Sequence, residues 1–265
     1  MQTQAPGDIR IWLATTSAFA PLLALNPAPI FATLSVAECA RYRATVSREA
    51  SLHFLLGRYL LRHALSAESG GQIAPAAWEI TTAGQGKPRV LHQPAPGFSI
   101  SHSDGGVAVA LSRRLEPGLD IEPISRDLGA GICTRRLLSP VQYRALQAIP
   151  TAERGALLAR AWCIKEAVSK AFGLGLRLPF AELDFDLAPP EAAEPSCWQR
   201  GTRLGQGSFW FRLPCLQRYR LCLALIAPAQ GPPELPGISL LPFARPGSRT
   251  VPAPHTMLAT DLISP

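Results

Sequence analysis

The chain has 265 residues, of which 47% are hydrophobic and 17% charged. That is enough for one large domain or two small ones with a real core, and too apolar for a wholly disordered chain. A net charge of +7 and a pI near 9.4 call for an anionic partner, whether nucleic acid, a phosphorylated cofactor or an acidic protein. The six cysteines, Cys39, Cys133, Cys163, Cys197, Cys215 and Cys222, form no C-x-x-C pair, and no histidine lies at metal-ligand spacing. Neither a zinc site nor a disulfide framework is indicated, and the thiols read as reduced and mostly buried. No apolar run is long enough to span a bilayer, so the expected address is the cytoplasm.

In chain order, Ile9 to Thr16 reads as a first strand. The run from Ile11 to Leu25 superficially resembles a signal-peptide core, but Asp8 sits where a basic leader would be and Pro21 interrupts it. Ser35-Val-Ala-Glu38 has the form of a capping box and opens a helical region reaching about Leu65, divided near Ser47. Leu52, Leu55, Leu56, Tyr59, Leu60 and His63 carry helical apolar spacing, with Arg58 and Arg62 stacked one turn apart. Those arginines, with Arg41, Arg43 and Arg48, form either a solvated face or part of an anion pocket.

Trp78 to Thr82 reads as a strand, and Gly84 to Pro88 as a turn that presents Lys87. Phe98-Ser-Ile-Ser-His-Ser103, Asp104-Gly-Gly106 and Val107 to Leu111 make a hairpin signal with His102 at its end. A strand through Gly118-Leu-Asp-Ile-Glu122 puts Asp120 and Glu122 on one face and turns Ile121 into the core. Ser139-Pro140 starts a short helix through about Ala148, and Thr151 is expected to cap a long helix that Gly173 ends. Leu183 to Leu187, Gly207 to Leu213 and Tyr219 to Ile226 read as further strands.

A β, α, β-hairpin order thus recurs in both halves, with a break near Ser112 to Pro117. The expected class is α+β: two similar α/β lobes, 1–112 and 113–227, rather than a doubly wound parallel sheet. Residues 228–265 are rich in Pro, Gly and Ala and are expected to be a mobile or loosely docked C-terminal extension.

The chemistry concentrates in the long helix. Trp162, Lys165, Glu166 and Ser169 share one side of it, and Ile164, Ala167, Val168, Ala171 and Phe172 form the opposite apolar stripe. Glu166 and Lys170 are one turn apart, which by itself describes only a solvated ion pair. Among 26 cationic side chains, lysine is used only at Lys87, Lys165 and Lys170. A compact ammonium, unlike the planar fork of arginine, can meet a single phosphate oxygen or give up a proton. Asp120 and Glu122 on one face repel each other, a cost that a hard divalent cation removes. The alternative is a pair of surface acids on an edge strand.

Gly86-Lys-Pro88, Phe98 to Ser103, Gly118 to Glu122 and Trp162 to Lys170, followed by Gly173-Leu-Gly-Leu176, together resemble the 4'-phosphopantetheinyl transferases of the surfactin-synthetase-activating type. The resemblance covers about Ile9 to Ile226. It implies a pseudo-twofold pair of lobes with the site at their junction. It also implies transfer of the phosphopantetheine arm of coenzyme A to a serine of an acyl or peptidyl carrier protein, releasing 3',5'-ADP. Such a site must deprotonate a poor nucleophile and neutralise a diphosphate. By that resemblance Asp120, Glu122 and Glu166 hold Mg²⁺, and Glu166 is the general base, directly or through water. Lys170 neutralises the transferred phosphate and the leaving group, and Lys165 supports the same region.

At the nucleotide end the resemblance puts Lys87 and His102. One of Arg41, Arg43, Arg48 and Arg58 meets the 3'-phosphate, with Arg48 the choice among them. His53 stands near a position where the family often has arginine, and Gln142 where an acid commonly follows Ser-Pro. The implied partners are coenzyme A and a carrier protein, met by a monomer that binds neither nucleic acid nor membrane. The rivals are a basic nucleic-acid-binding protein, which leaves Asp120, Glu122 and Glu166 unexplained, and a catalytically silent carrier-protein-binding module.

Overall fold

Strand β1 (Ile9–Thr15) runs into helix α1 (Thr16–Leu25), where the Thr15 hydroxyl accepts a hydrogen bond from Ala18 N and so caps the first turn. Helix α2 (Pro27–Phe31) starts on a proline, which tolerates the first turn because its missing N–H has no partner there. Ser35 and Glu38 complete the capping box of α3 (Val36–Ala44), and Ser47 caps α4 (Arg48–Glu68). The computed structural model describes residues 9–81, 86–91, 96–129, 134–187, 198–204, 207–213, 215–216, 218–226, 238–242 and 255–256.

Strands β2 (Ile80–Thr81) and β3 (Arg89–Val90) form a small ribbon. Strands β4 (Gly97–Ser103) and β5 (Gly106–Ser112) form the hairpin, closed by Asp104 and Gly105 at φ 43° and 75°. Two successive positive φ values give the turn whose twist matches the flanking strands, and Asp-Gly suits it. On its other edge β5 lies antiparallel to β1, with Trp12 opposite Val109. Helix α4 buries Leu56, Tyr59 and Leu60 in a core with Trp12, Phe98, Val107, Val109 and Leu111. Each such side chain contributes about 1.5–3 kcal/mol when fully removed from water.

After a break at Leu115–Glu116, a second compact unit begins. Strand β6 (Pro117–Pro123) is followed by α5 (Thr134–Leu137), α6 (Pro140–Gln147) and α7 (Thr151–Phe172). Strands β7 (Leu183–Asp184), β8 (Gln199–Arg203), β9 (Gly207–Arg212), β10 (Cys215–Leu216) and β11 (Tyr219–Ile226) complete an antiparallel sheet in which β6 lies beside β11. Asp120 stands opposite Cys222 and Glu122 opposite Arg220, so these four share one face of the sheet. Helix α7 covers that face, placing Ile164, Ala167, Val168 and Ala171 in a core with Phe211, Cys222 and Ala224. Its last turn closes on Gly173 at φ 69°, the left-handed position that glycine takes without strain.

Two expectations need correction. Thr151 is the first helical residue of α7 and supplies no cap: Pro150 occupies the cap position, without a side-chain hydrogen bond. Within the stretch expected to be a loosely docked extension, β12 (Ile238–Pro242) pairs parallel with β1, and β13 (His255–Thr256) pairs with β12. Both belong to the first unit, where β12 covers the edge of β1 not used by β5. An uncovered edge strand exposes a row of unpaired backbone groups, which is the physical reason this short apolar segment docks.

Candidate functional site

The second unit's site is built on one close approach. A Cβ on Gly118 would lie 2.5 Å from Ala171 N and 2.8 Å from Ala171 Cβ, with the Ala167 carbonyl oxygen nearer still. Glycine at 118 therefore lets α7 sit directly on β6, one strand position from Leu119 and two from Asp120. Asp120 and Glu122 are buried, at 5% and 4% exposure, despite their charge. Each has a cation: Lys170 Nζ donates to Asp120 Oδ1 at 2.7 Å, and Arg126 Nη1 to Glu122 Oε2 at 2.6 Å. Glu166, half-buried on α7, has its carboxyl pushed up from the usual range, first by burial and then by the charges of Asp120 and Glu122, against the opposing pull of Lys170. The structure thus brings Asp120, Glu122, Glu166 and Lys170 within electrostatic reach. Arg126 escaped the sequence reading; its signal, an acid and an arginine four residues apart, straddles a strand end and the turn after it.

Lys165 does not join them. It is fully buried, and its ammonium donates to Gln142 Oε1 at 2.7 Å and to the carbonyls of Phe180 and Leu183, each at 2.8 Å. Burial pushes its pKa down to about 7, with Asp184 acting in the opposite direction. Three acceptors match the three N–H donors of an ammonium, leaving none for a ligand. The expected role of Lys165 at the phosphate is therefore corrected: its neighbours are a glutamine side chain and two carbonyls from other elements, invisible in a helical wheel. Ser169, expected on the same polar side, is also buried, its hydroxyl donating to Gly175 O at 2.5 Å.

In the first unit Arg48 is exposed at the start of α4, Lys87 is partly buried ahead of β3, and His102 is exposed on β4. The His102 ring stacks on the buried His53, with centroids 4.8 Å apart and planes 17° from parallel. Arg58 is buried rather than presented on an open face. Its Nε lies 3.5 Å from Glu38 Oε1, and Arg62 Nη2 lies 2.6 Å from Glu38 Oε2. Arg62 also donates to the carbonyls of Pro75 and Trp78, at 3.0 and 2.8 Å. Glu38, read from the sequence only as a helix cap, is thus the buried counter-charge of two arginines. Arg41 and Arg43 are exposed on α3.

The model of the 4'-phosphopantetheinyl transferase superfamily matches residues 116–223, the span that holds Asp120, Glu122, Glu166 and Lys170. The 4'-phosphopantetheinyl transferase HetI of Nostoc sp. is 28% identical over 166 residues, 62% of this chain and 69% of that protein. The 4'-phosphopantetheinyl transferase Sfp of Bacillus subtilis is 30% identical over 145 residues, 54% of this chain and 60% of that protein. The chain is similar to the 4'-phosphopantetheinyl transferase superfamily.

A site similar to that of this superfamily raises the question whether these carboxylates suit a hard divalent cation. In donor type they do: two buried carboxylates share a strand face beside a third whose ionised form their charges disfavour. Oxygen donors of this kind match Mg²⁺. Their arrangement is another matter, since among the described residues no three or more His, Cys, Asp or Glu side chains are grouped to hold a metal ion. Lys170 pairs with Asp120 and Arg126 with Glu122. Among the described residues, no helix is long and apolar enough to cross a membrane.

Proposed function

We propose that this chain transfers the 4'-phosphopantetheine arm of coenzyme A to a serine hydroxyl of an apo acyl or peptidyl carrier protein, as the names of its relatives suggest for them. The observation that carries this reading is the meeting of Glu166 and Lys170 on α7 with Asp120 and Glu122 on β6. In the reaction the serine oxygen bonds to the phosphorus that bears the pantetheine arm, the diphosphate P–O bond breaks, and 3',5'-ADP leaves. Glu166 takes the serine proton on its carboxylate; a base whose pKa is raised toward the working pH holds that proton more readily. Lys170 is 27% exposed, with its ammonium 2.7 Å from Asp120 Oδ1, and neutralises a phosphate oxygen as charge builds on the leaving group. Asp120, Glu122 and Glu166 offer the oxygen donors that would hold Mg²⁺ once their carboxylates draw together, and the ion would then supply positive charge to the diphosphate.

Arg48, Lys87 and His102 bind the nucleotide end of coenzyme A in this reading, Arg48 at the 3'-phosphate. Two lobes related by a pseudo-twofold axis, a monomer and a cytoplasmic address complete it. The net charge of +7 suits both an acidic carrier and a polyanionic cofactor. Intact-mass spectrometry of a panel of apo carrier proteins incubated with coenzyme A and Mg²⁺ tests the proposal: the added arm is expected, and its loss with chelator. Unmodified carriers, with tight and steeply salt-dependent binding of random RNA or DNA, would favour the nucleic-acid reading instead. Carrier binding without modification would mark a silent binding module.

A further inference from the structure

This inference rests on the transfer reaction proposed above and concerns what holds α7 at its angle. Successive residues of an α-helix are about 100° apart, so with Lys165 as origin Glu166 lies about 100° round, Lys170 about 140°, Ala167 about 200° and Ala171 about 240°. The two reactive side chains therefore occupy an arc between two anchors. On one side, Ala167 and Ala171 rest on Gly118 of β6. On the other, the buried Lys165 ammonium reaches Gln142 at the start of α6 and the carbonyls of Phe180 and Leu183. A steric contact resists approach but not retreat. Three directed hydrogen bonds on the other side resist both.

We propose that Lys165 is a positioning residue: it fixes the roll of α7, and thereby the placement of Glu166 and Lys170 against Asp120. Gln142 is its preset partner. Its Oε1 also accepts from Ser139 N at 3.1 Å, and its Nε2 donates to Phe185 O at 2.9 Å, which orients the oxygen toward the lysine. The leverage is large for a small rotation. At a side-chain radius of about 6 Å, a roll of about 10° moves a group by about 1 Å. A misplacement of that size costs a reaction on the order of 100-fold.

The test compares the full wild-type chain with Lys165→Met, which keeps chain length without donors, and Gln142→Ala, which removes one acceptor. Steady-state transfer to an apo carrier protein is measured with coenzyme A and Mg²⁺. The expected result is a fall in kcat of about 30- to 100-fold for Lys165→Met and about 3- to 10-fold for Gln142→Ala. KM for coenzyme A stays within about threefold, because the ammonium meets no ligand. The double variant Lys165→Met/Glu166→Gln is expected to be no slower than Glu166→Gln alone, since the first loss acts through the second residue. A tenfold or larger rise in KM for coenzyme A at unchanged kcat makes Lys165 a phosphate ligand and overturns the inference, as do wild-type kinetics or additive losses. If Lys165→Met does not fold, Gln142→Ala and its double variant with Glu166→Gln decide. Wild-type kcat there, or failure of that variant to fold as well, leaves Lys165 a role in stability only and overturns the positioning role. A wild-type chain that modifies no carrier overturns the proposed function and this inference with it, whereas an active wild type matched by Lys165→Met overturns the inference alone.

Discussion

Replacing Gly118 by alanine tests how tightly the strand that bears the acids is coupled to the helix that bears Glu166 and Lys170. The added methyl would lie 2.5 Å from Ala171 N and 2.8 Å from Ala171 Cβ, and closer still to the Ala167 carbonyl. Neither partner is the end of a flexible side chain; both are parts of α7 near its backbone. Ordinary contact needs about 3.4–4 Å, so α7 must retreat from β6 by about 1 Å or more. Overpacking of this kind costs about 1–3 kcal/mol, or roughly 4–12 °C in Tm for a unit of this size. The same retreat carries Lys170 from Asp120, and transfer is expected to fall on the order of 100-fold. Gly57 in α4 is the matched control: a methyl there meets Ile100 Cγ2 at 3.4 Å and Val107 Cγ1 at 3.7 Å. Gly57→Ala is expected to raise stability by about 0.5–1 kcal/mol, because alanine loses less backbone freedom in a helix. Differential scanning calorimetry with transfer kinetics on both variants is the assay. Wild-type Tm and kcat in Gly118→Ala would refute the coupling of β6 to α7.

The other expectations use separate parts of the molecule. Lys170→Arg keeps the charge but replaces a compact ammonium with a broad fork, so transfer should drop by tenfold or more, on the order expected for lost transition-state contacts; full activity would discredit the ammonium argument. Glu38→Gln leaves Arg58 and Arg62 buried without their carboxylate, and should cost about 3–5 kcal/mol in urea unfolding; a loss below about 1 kcal/mol would contradict the buried clamp. Burial lowers the His63 pKa, so the unfolded chain binds the proton more readily than the folded one. That contribution is present above the ordinary value of 6.5 and is lost as pH falls through the folded value. Wild type should therefore lose stability on acidification below about pH 6.5, and His63→Phe, which keeps a ring against Tyr59, should lose less of it. Identical pH slopes would remove His63 from the account.

Local pattern carried much of this fold into view. The capping box at Ser35, the cap and first-turn proline at Ser139-Pro140, the Asp-Gly turn and the alternation in β6 are decided by neighbours a few residues away, and the elements formed where those signals stood. What stayed hidden depends on distant partners. Lys165 looks like one more polar residue on a helix face until Gln142, Phe180 and Leu183 close round it. Arg58 and Arg62 look solvated until Glu38, 20 and more residues earlier, is buried against them. The strand at Ile238–Pro242 is too short and too close to prolines to announce itself, and pairs only because β1 offers an edge. At the site, the sequence pattern brought Asp120, Glu122, Glu166 and Lys170 to notice, whereas Arg126 entered only through its ion pair with Glu122.

Glu166→Gln, which removes a proton acceptor and little volume, probes the group around which the reaction is arranged. The decisive measurement pairs two numbers on that variant: the dissociation constant for coenzyme A by calorimetry and the single-turnover rate of arm transfer to an apo carrier protein by quenched-flow mass spectrometry. A general base on α7 predicts affinity within about threefold of wild type and a rate lower by about 100- to 10,000-fold. A rate within a few-fold of wild type would show that the serine proton leaves by another route and would take Glu166 out of the centre of the site.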